Sequence, residues 1–269
     1  MTISIMFHKQ YGPWAVVAGA SEGLGAAYAD QLAQRGFNLV LIARRENLLQ
    51  ALGKELREKH NVEVKTFALD LSLGNSAEII MGETSDLEIG LLIYNAAFSA
   101  VGPFLERPIS DHLKEIDTNI RTPLALVHYF GQRMSARGHG GIILMASLSA
   151  FQGSAFISNY AATKAFNMLL AEGLWEEWRK QGIDALVCIA GAIRTSNYLA
   201  STPRQTGRFS DATIEPEMVA REALAALGQQ PYIIPGRSNR LASFFMRHLL
   251  PRRLAIQLMG RILRDMYAS

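Results

Sequence analysis

The sequence predicts a single α/β domain, a doubly wound parallel sheet of about seven strands with helices on both faces, and three observations carry that prediction. Short apolar runs alternate with longer amphipathic stretches along the chain, the pattern of strand–crossover–strand units. A glycine-rich segment, Gly19-Ala20-Ser21-Glu22-Gly23-Leu24-Gly25, separates the first apolar run from the first amphipathic stretch. The 269 residues are 49% hydrophobic, enough for one full core, and no linker, internal repeat or low-complexity tract divides them.

Strands are expected at 14–18, 38–43, 62–68, 90–95, 141–147, 183–189 and 231–235, because each is a near-continuous apolar run of the kind that parallel strands buried on both faces require. Helices are expected at 24–35, 46–59, 110–136, 158–181 and 215–228. Within 110–136, Pro123 lacks the amide that would bond the carbonyl of Asn119. Apolar periodicity nevertheless continues through Leu126, Val127, Phe130 and Met134, so one kinked helix is expected, with the Asn119 carbonyl left to bind water. Residues 1–236 form the domain, and 237–269 a basic amphipathic helical extension of it: two short helices broken at Pro251.

The glycines permit a tight turn and a close backbone approach, so that a pyrophosphate can meet the N-terminus of the following helix, as in Rossmann-like folds. Their Gly-x-x-x-Gly-x-Gly spacing differs from the common dinucleotide fingerprint. Tyr160 and Lys164 stand one helical turn apart, which puts phenol and ammonium on one face. A cation close to a phenol favours phenolate and lowers its pKa toward the working pH, making a usable acid/base. Ser147 lies thirteen residues upstream of Tyr160, at the C-terminal end of a strand, where open α/β sheets bind ligands.

Taken together, the glycine turn, Ser147, Tyr160 and Lys164 resemble the short-chain dehydrogenase/reductase family, over about residues 11–235. The resemblance implies hydride transfer between a nicotinamide cofactor and a carbonyl or alcohol. Gly19, Ser21, Gly23, Leu24 and Gly25 would hold the pyrophosphate, Asp70 the adenine amino group, Asn95 the adenine ribose, and Thr195 the nicotinamide carboxamide. Ser147 would bind the substrate oxygen and Tyr160 would deliver the proton. Lys164 would lower the Tyr160 pKa and bind the nicotinamide ribose, and Asn119 would hold a water relay to Lys164. Ser149 reads as a loop serine rather than a helper. Three positions depart from the family pattern, Ala18 for Thr, Tyr94-Asn95-Ala96-Ala97 for Asn-Asn-Ala-Gly, and Ala190-Gly191 for Pro-Gly.

The second strand ends at Ala43 with Arg44 and Arg45 following, where an NAD enzyme would place an acid for the ribose 2′-hydroxyl. Guanidinium groups bind a 2′-phosphate instead, so NADP(H) is favoured over NAD(H). Glu22 is a contrary signal. A non-catalytic dinucleotide-binding regulator and a sugar-nucleotide epimerase or dehydratase are the rival readings. The intact catalytic set opposes the first, and the glycine spacing opposes the second.

Six scattered histidines give no zinc-type cluster, and the lone Cys188 sits in a strand as a buried thiol. The first nine residues lack a basic start, and no apolar run reaches the roughly 20 residues that span a bilayer. A cytoplasmic protein without nucleic-acid or metal partners is expected. Net charge is +3, but residues 237–269 hold seven arginines against Asp265 alone, leaving the rest at −3. Tail helices of this kind are expected to pack in a homodimer or homotetramer rather than on an anionic membrane, and Phe166, Leu169, Leu170 and Leu174 offer a further subunit contact. Residues 196–214, with Tyr198, Leu199 and Phe209, should close over a substrate walled by Phe98, Val101, Phe104 and Phe151, which suits an apolar carbonyl compound.

Overall fold

In the computed structural model, which describes residues 2–195, 198 and 213–267, seven strands form one sheet. They are β1 (Trp14–Ala18), β2 (Asn38–Ala43), β3 (Val64–Ala68), β4 (Ile89–Tyr94), β5 (Gly140–Ser147), β6 (Ile183–Ala190) and β7 (Tyr232–Ile233). All pairs are parallel, in the order β3-β2-β1-β4-β5-β6-β7. Strand order reverses where the chain passes from β3 to β4, which opens a crevice beyond the C-terminal ends of β1 and β4.

Alternate residues of each strand serve opposite faces. Val17, Leu39, Leu41, Leu91 and Ile93 pack with Tyr28, Leu32, Leu49 and Leu56 from α2 (Gly23–Ala33) and α3 (Glu46–His60). On the other face Val16, Val40, Ile42, Leu92 and Tyr94 meet Ile80, Leu126, Phe130 and Met134. Both layers are buried, which is why the strands read as unbroken apolar runs.

Some boundaries differ from expectation. Asn61 closes α3 in the left-handed conformation, φ 54°, so β3 starts at Val64 rather than 62. The last strand is only two residues long. Two helices went unpredicted: α1 (Thr2–Tyr11) and α4 (Ser76–Glu83). α1 is fixed by Tyr11, whose hydroxyl donates to Asp184 at 2.7 Å, and by Phe7, whose ring lies 5.9 Å from that of Phe37.

The expected kinked helix is α5 (Ile109–Ile116), a π turn at Asp117–Arg121, and α6 (Thr122–Arg137). The Thr122 amide reaches back five residues to the Asp117 carbonyl. In that wider register an amide at 123 would face the carbonyl of Thr118, not that of Asn119. Tyr94 supplies the donor that Pro123 lacks, its hydroxyl 2.6 Å from the Thr118 carbonyl. Tyr94 thus completes the Thr118 carbonyl, while the vacancy expected at Asn119 belongs to the register of a regular helix, which this turn does not keep.

After α7 (Ser158–Trp178) and α8 (Pro216–Ala226), the tail forms α9 (Arg237–His248) and α10 (Arg252–Tyr267) on either side of Pro251. α9 turns Asn239 and Ser243 inward and leaves Leu241, Phe244 and Phe245 exposed, as is Leu249 just beyond it. Asn239 bonds the Pro235 carbonyl at 3.0 Å and fills the space beside Gly191, where a Cβ would fall 2.7 Å from its Oδ1. α10 buries Ala255 and Leu263. Arg247 lies 4.2 Å over the Phe151 ring, which draws the tail onto the loop after β5.

Candidate active site

The glycine turn leaves β1 and enters α2. Gly19 has φ +82°, and a Cβ there would stand 2.7 Å from the Ala96 backbone. Gly23 has φ +57° and lies against Thr195, whose methyl would be 2.8 Å from an added Cβ. A side chain on Gly25 would collide with the Gly19 carbonyl. No side chain caps the first turn of α2, where Leu24 is buried and Glu22 sits at the cap position, so its amides keep their free valence. A tight loop, free amides and a helix N-terminus suit a pyrophosphate, and the residues present fit a dinucleotide.

Around that turn stand the other residues expected to touch it. Asn95 donates to the Gly19 carbonyl at 2.9 Å, locking the end of β4 to the turn. Arg45 pairs with Glu22 and donates to Ser21 Oγ at 3.1 Å, so the contrary acid is already neutralised. Asp70 accepts from the Ser72 amide at 3.0 Å and hydroxyl at 2.8 Å, and Lys114 lies at 3.5 Å. Partial burial alone would raise its carboxyl, but the Ser72 bonds with the charges of Lys114 and Arg44 outweigh this and hold it below the usual range. Thr195 accepts from the Tyr198 amide at 3.2 Å.

Across the crevice, β5 ends at Ser147, whose hydroxyl accepts from the Ser149 amide at 3.2 Å. Ser149 itself is buried, with its hydroxyl lacking any protein partner. Tyr160 and Lys164 share one face of α7, with the ammonium 5.5 Å from the Tyr160 ring. Lys164 is only 3% exposed and donates to the Met145 carbonyl at 3.0 Å. The effect on Tyr160 is opposite to the expectation. Burial, the Glu115 charge and Tyr267 push its phenol up to about 12, against a lowering bond with Ser147, because Lys164 is turned to the Met145 carbonyl. Burial likewise pulls Lys164 down to about 8, with Glu115 opposing. The pair is therefore set as a protonated phenol beside a readily deprotonated amine.

Asn119 meets these groups through its side chain. It accepts from the Phe98 amide and donates to the Phe98 carbonyl, both at 2.9 Å, and donates to the Thr163 hydroxyl at 3.0 Å. The loop so held presents Phe98, Val101 and Phe104, the last stacked on His112 at 4.3 Å. Leu199 and Phe209, expected to close the pocket, lie outside the described residues, as does most of 196–214.

Sequence reasoning missed Glu115, Asn159, Thr163 and Tyr267. The available signal was His112, Glu115 and Asn119 recurring at three- and four-residue spacing, a polar stripe on a helix otherwise expected to bury apolar groups. Among the described residues there is no group of three metal-ligating side chains and no helix long and apolar enough to cross a membrane.

Residues 13–205 match the family model described as short chain dehydrogenase. The 7beta-hydroxysteroid dehydrogenase of Clostridium sardiniense is 32% identical over 234 residues, 87% of this chain and 89% of its own. The very-long-chain 3-oxoacyl-CoA reductase of Mus musculus is 37% identical over 176 residues, 64% of this chain and 56% of its own. Among solved structures, one from work on 7beta-hydroxysteroid dehydrogenase stereoselectivity superposes with a TM-score of 0.89 at 28% identity, covering 94% of this chain and 98% of that one. A short-chain dehydrogenase from Sphingobium yanoikuyae in complex with NADPH gives 0.76 at 27% identity, over 87% and 92%. A crevice with a phosphate-ready turn on one side and a buried phenol–ammonium pair on the other, in a chain so matched, makes this protein an oxidoreductase belonging to the short-chain dehydrogenase family.

Proposed function

We propose that the protein is an NADP(H)-dependent carbonyl reductase, reversible to an alcohol dehydrogenase, acting on a bulky apolar ketone, aldehyde or secondary alcohol. The observation that carries the reading is the protonated Tyr160 phenol beside Lys164 and Ser147, across the crevice from the glycine turn. A bound nicotinamide cofactor would supply the hydride. Gly19, Ser21, Gly23, Leu24 and Gly25 would hold its pyrophosphate, with Asp70, Asn95 and Thr195 along its length. Arg44, with Arg45 held beside it by Glu22 and Ser21, would meet a 2′-phosphate and favour the phosphorylated form.

Ser147 would orient the substrate oxygen, and Tyr160, protonated near neutrality, would donate to it as alkoxide develops. Lys164 would restore the Tyr160 proton, and Asn119 would hold the neighbouring loop in place through its bonds to Phe98 and Thr163. Substrate bulk is supported by the exposed apolar loop carrying Phe104 and by relatives named for steroid and very-long-chain acyl substrates. We further propose a cytoplasmic homodimer or homotetramer. The shallow groove of about 560 Å³ between α6 and α7, lined by Leu124, Leu170, Leu174 and Trp178, and the outward apolar face of α9 support it.

The deciding experiment follows NADPH oxidation across a panel of apolar ketones and aldehydes, with NADH in parallel. Tyr160→Phe should cut turnover about 10²–10⁴-fold while the Kd for NADPH holds. Turnover within a few-fold of the unsubstituted protein would reject the mechanism.

A further inference from the structure

Glu115 is the only acid fully buried among the described residues, and nothing in the reaction above uses it. One oxygen accepts from the Ala100 amide at 2.9 Å and the other from Asn159 Nδ2 at 2.6 Å. The same Asn159 nitrogen donates to the His112 carbonyl at 3.1 Å. This repeats the arrangement at Asn119, which joins Phe98 of the same loop to Thr163 of the same helix. Glu115 and Asn119 stand four residues apart on one element, and Asn159 and Thr163 four apart on α7. Two rungs thus tie loop 98–100 to α7, one on either side of Tyr160, and Thr163 adds a bond to the Tyr160 carbonyl at 2.8 Å.

A neutral side chain could make such a rung without the cost of burying a charge. Both Glu115 oxygens accept from N–H donors, as an anion's should, and the Glu115 charge acts on Lys164. We propose, on the reading of Tyr160 and Lys164 given above, that Glu115 is a positioning residue for this pair, an internal anion that fixes the start of α7 and sets the charge against which the two exchange protons. Its carboxyl is raised by burial and lowered by Ala100, Asn159 and His112, with Asp111 opposing. Its charge raises the proton affinity of both Tyr160 and Lys164. The other groups facing Tyr160 are Ser147 from β5, Tyr267 from α10 and Lys164 from its own helix.

Removing the charge should therefore make the phenol more acidic. Glu115→Gln keeps the shape, and in it the midpoint of the kcat–pH profile should fall by about one pH unit, so that alcohol oxidation below the midpoint, relative to its own plateau, is up to about tenfold faster than in the unsubstituted enzyme. NADPH affinity should hold. Asn159→Ala cuts the rung and keeps the anion; kcat should fall several-fold with the midpoint unmoved. Coincident normalised profiles for Glu115→Gln and the unsubstituted enzyme would overturn the proposal. So would an unaltered kcat in Asn159→Ala, which decides the matter if Glu115→Gln does not fold. The ultraviolet titration of tyrosinate, taken as the difference between each protein and its Tyr160→Phe counterpart, reads the same shift without turnover. An enzyme inactive on every substrate would thus defeat the proposed reaction and leave this test standing.

Discussion

Lys164 holds its charge while almost fully buried, and the consequence is measurable apart from catalysis. Its pKa is near 8 in the fold and 10.5 for the free side chain. Between those values the unfolded chain binds more protons than the native one, so stability rises with pH across that window. Relative to Lys164→Met, the protein should gain about 3 kcal/mol from pH 8 to 10.5, by the equivalence of about 1.4 kcal/mol per pKa unit. Urea denaturation of both proteins at several pH values tests this, and parallel curves would refute it. Arg44→Asp should move the ratio of kcat/KM from NADP(H) toward NAD(H) by tenfold or more, since it replaces a phosphate partner by a repelling carboxylate. Equal ratios would make Arg44 surface. The positions of Ser147, Tyr160 and Lys164 were legible because fixed spacing on a strand end and one helix face survives folding unchanged. Glu115 was not, since Asp111, Lys114, Glu115 and Asp117 look alike in sequence and only the packed helix selects which turns inward.

Among the elements, the π turn at Asp117–Arg121 shows why a proline signals more than a bend. Its location was legible from Pro123, but not its register, because helical periodicity of 3.6 assigns the orphan carbonyl to Asn119 and the wider turn gives it to Thr118. Tyr94, one of the departures from the family pattern, completes that carbonyl. Tyr94→Phe should leave it buried and unpaired, costing about 1–3 kcal/mol by chemical denaturation. It should also lower kcat, because Asn119 sits in the same turn; full stability would show that another donor takes over. α4 escaped detection because Ser76–Glu83 is too short to show a period, and α1 because its apolar residues follow no clean helical stripe.

At the scale of the molecule, the tail is bound into the catalytic domain through Asn239, Arg247 and the buried Ala255 and Leu263, while Tyr267 at the end of α10 reaches the field of Tyr160. Truncation after Gly236 should raise the substrate KM about tenfold, reduce solubility, and leave sedimentation onto anionic vesicles little changed. If the full chain pelleted with such vesicles while the truncated one stayed active and dispersed, the outward face of α9 would serve a lipid surface instead of a second subunit. The alternation of strands and helices made the sheet legible; the outward face of α9 was not, because a stripe of Leu241, Phe244 and Phe245 reads the same whether it points in or out. The sheet order has its own consequence. β1 to β3 lead into the turn, arginines and aspartate, whereas β5 and the helix after it carry Ser147, Tyr160 and Lys164, and the two groups of strands join where β1 lies beside β4. On the proposed reading, cofactor choice and acidity profile would be separate dials, one on each flank of that seam, and a chimera exchanging residues up to β3 with a relative should inherit the donor's nucleotide preference and keep its own response to pH.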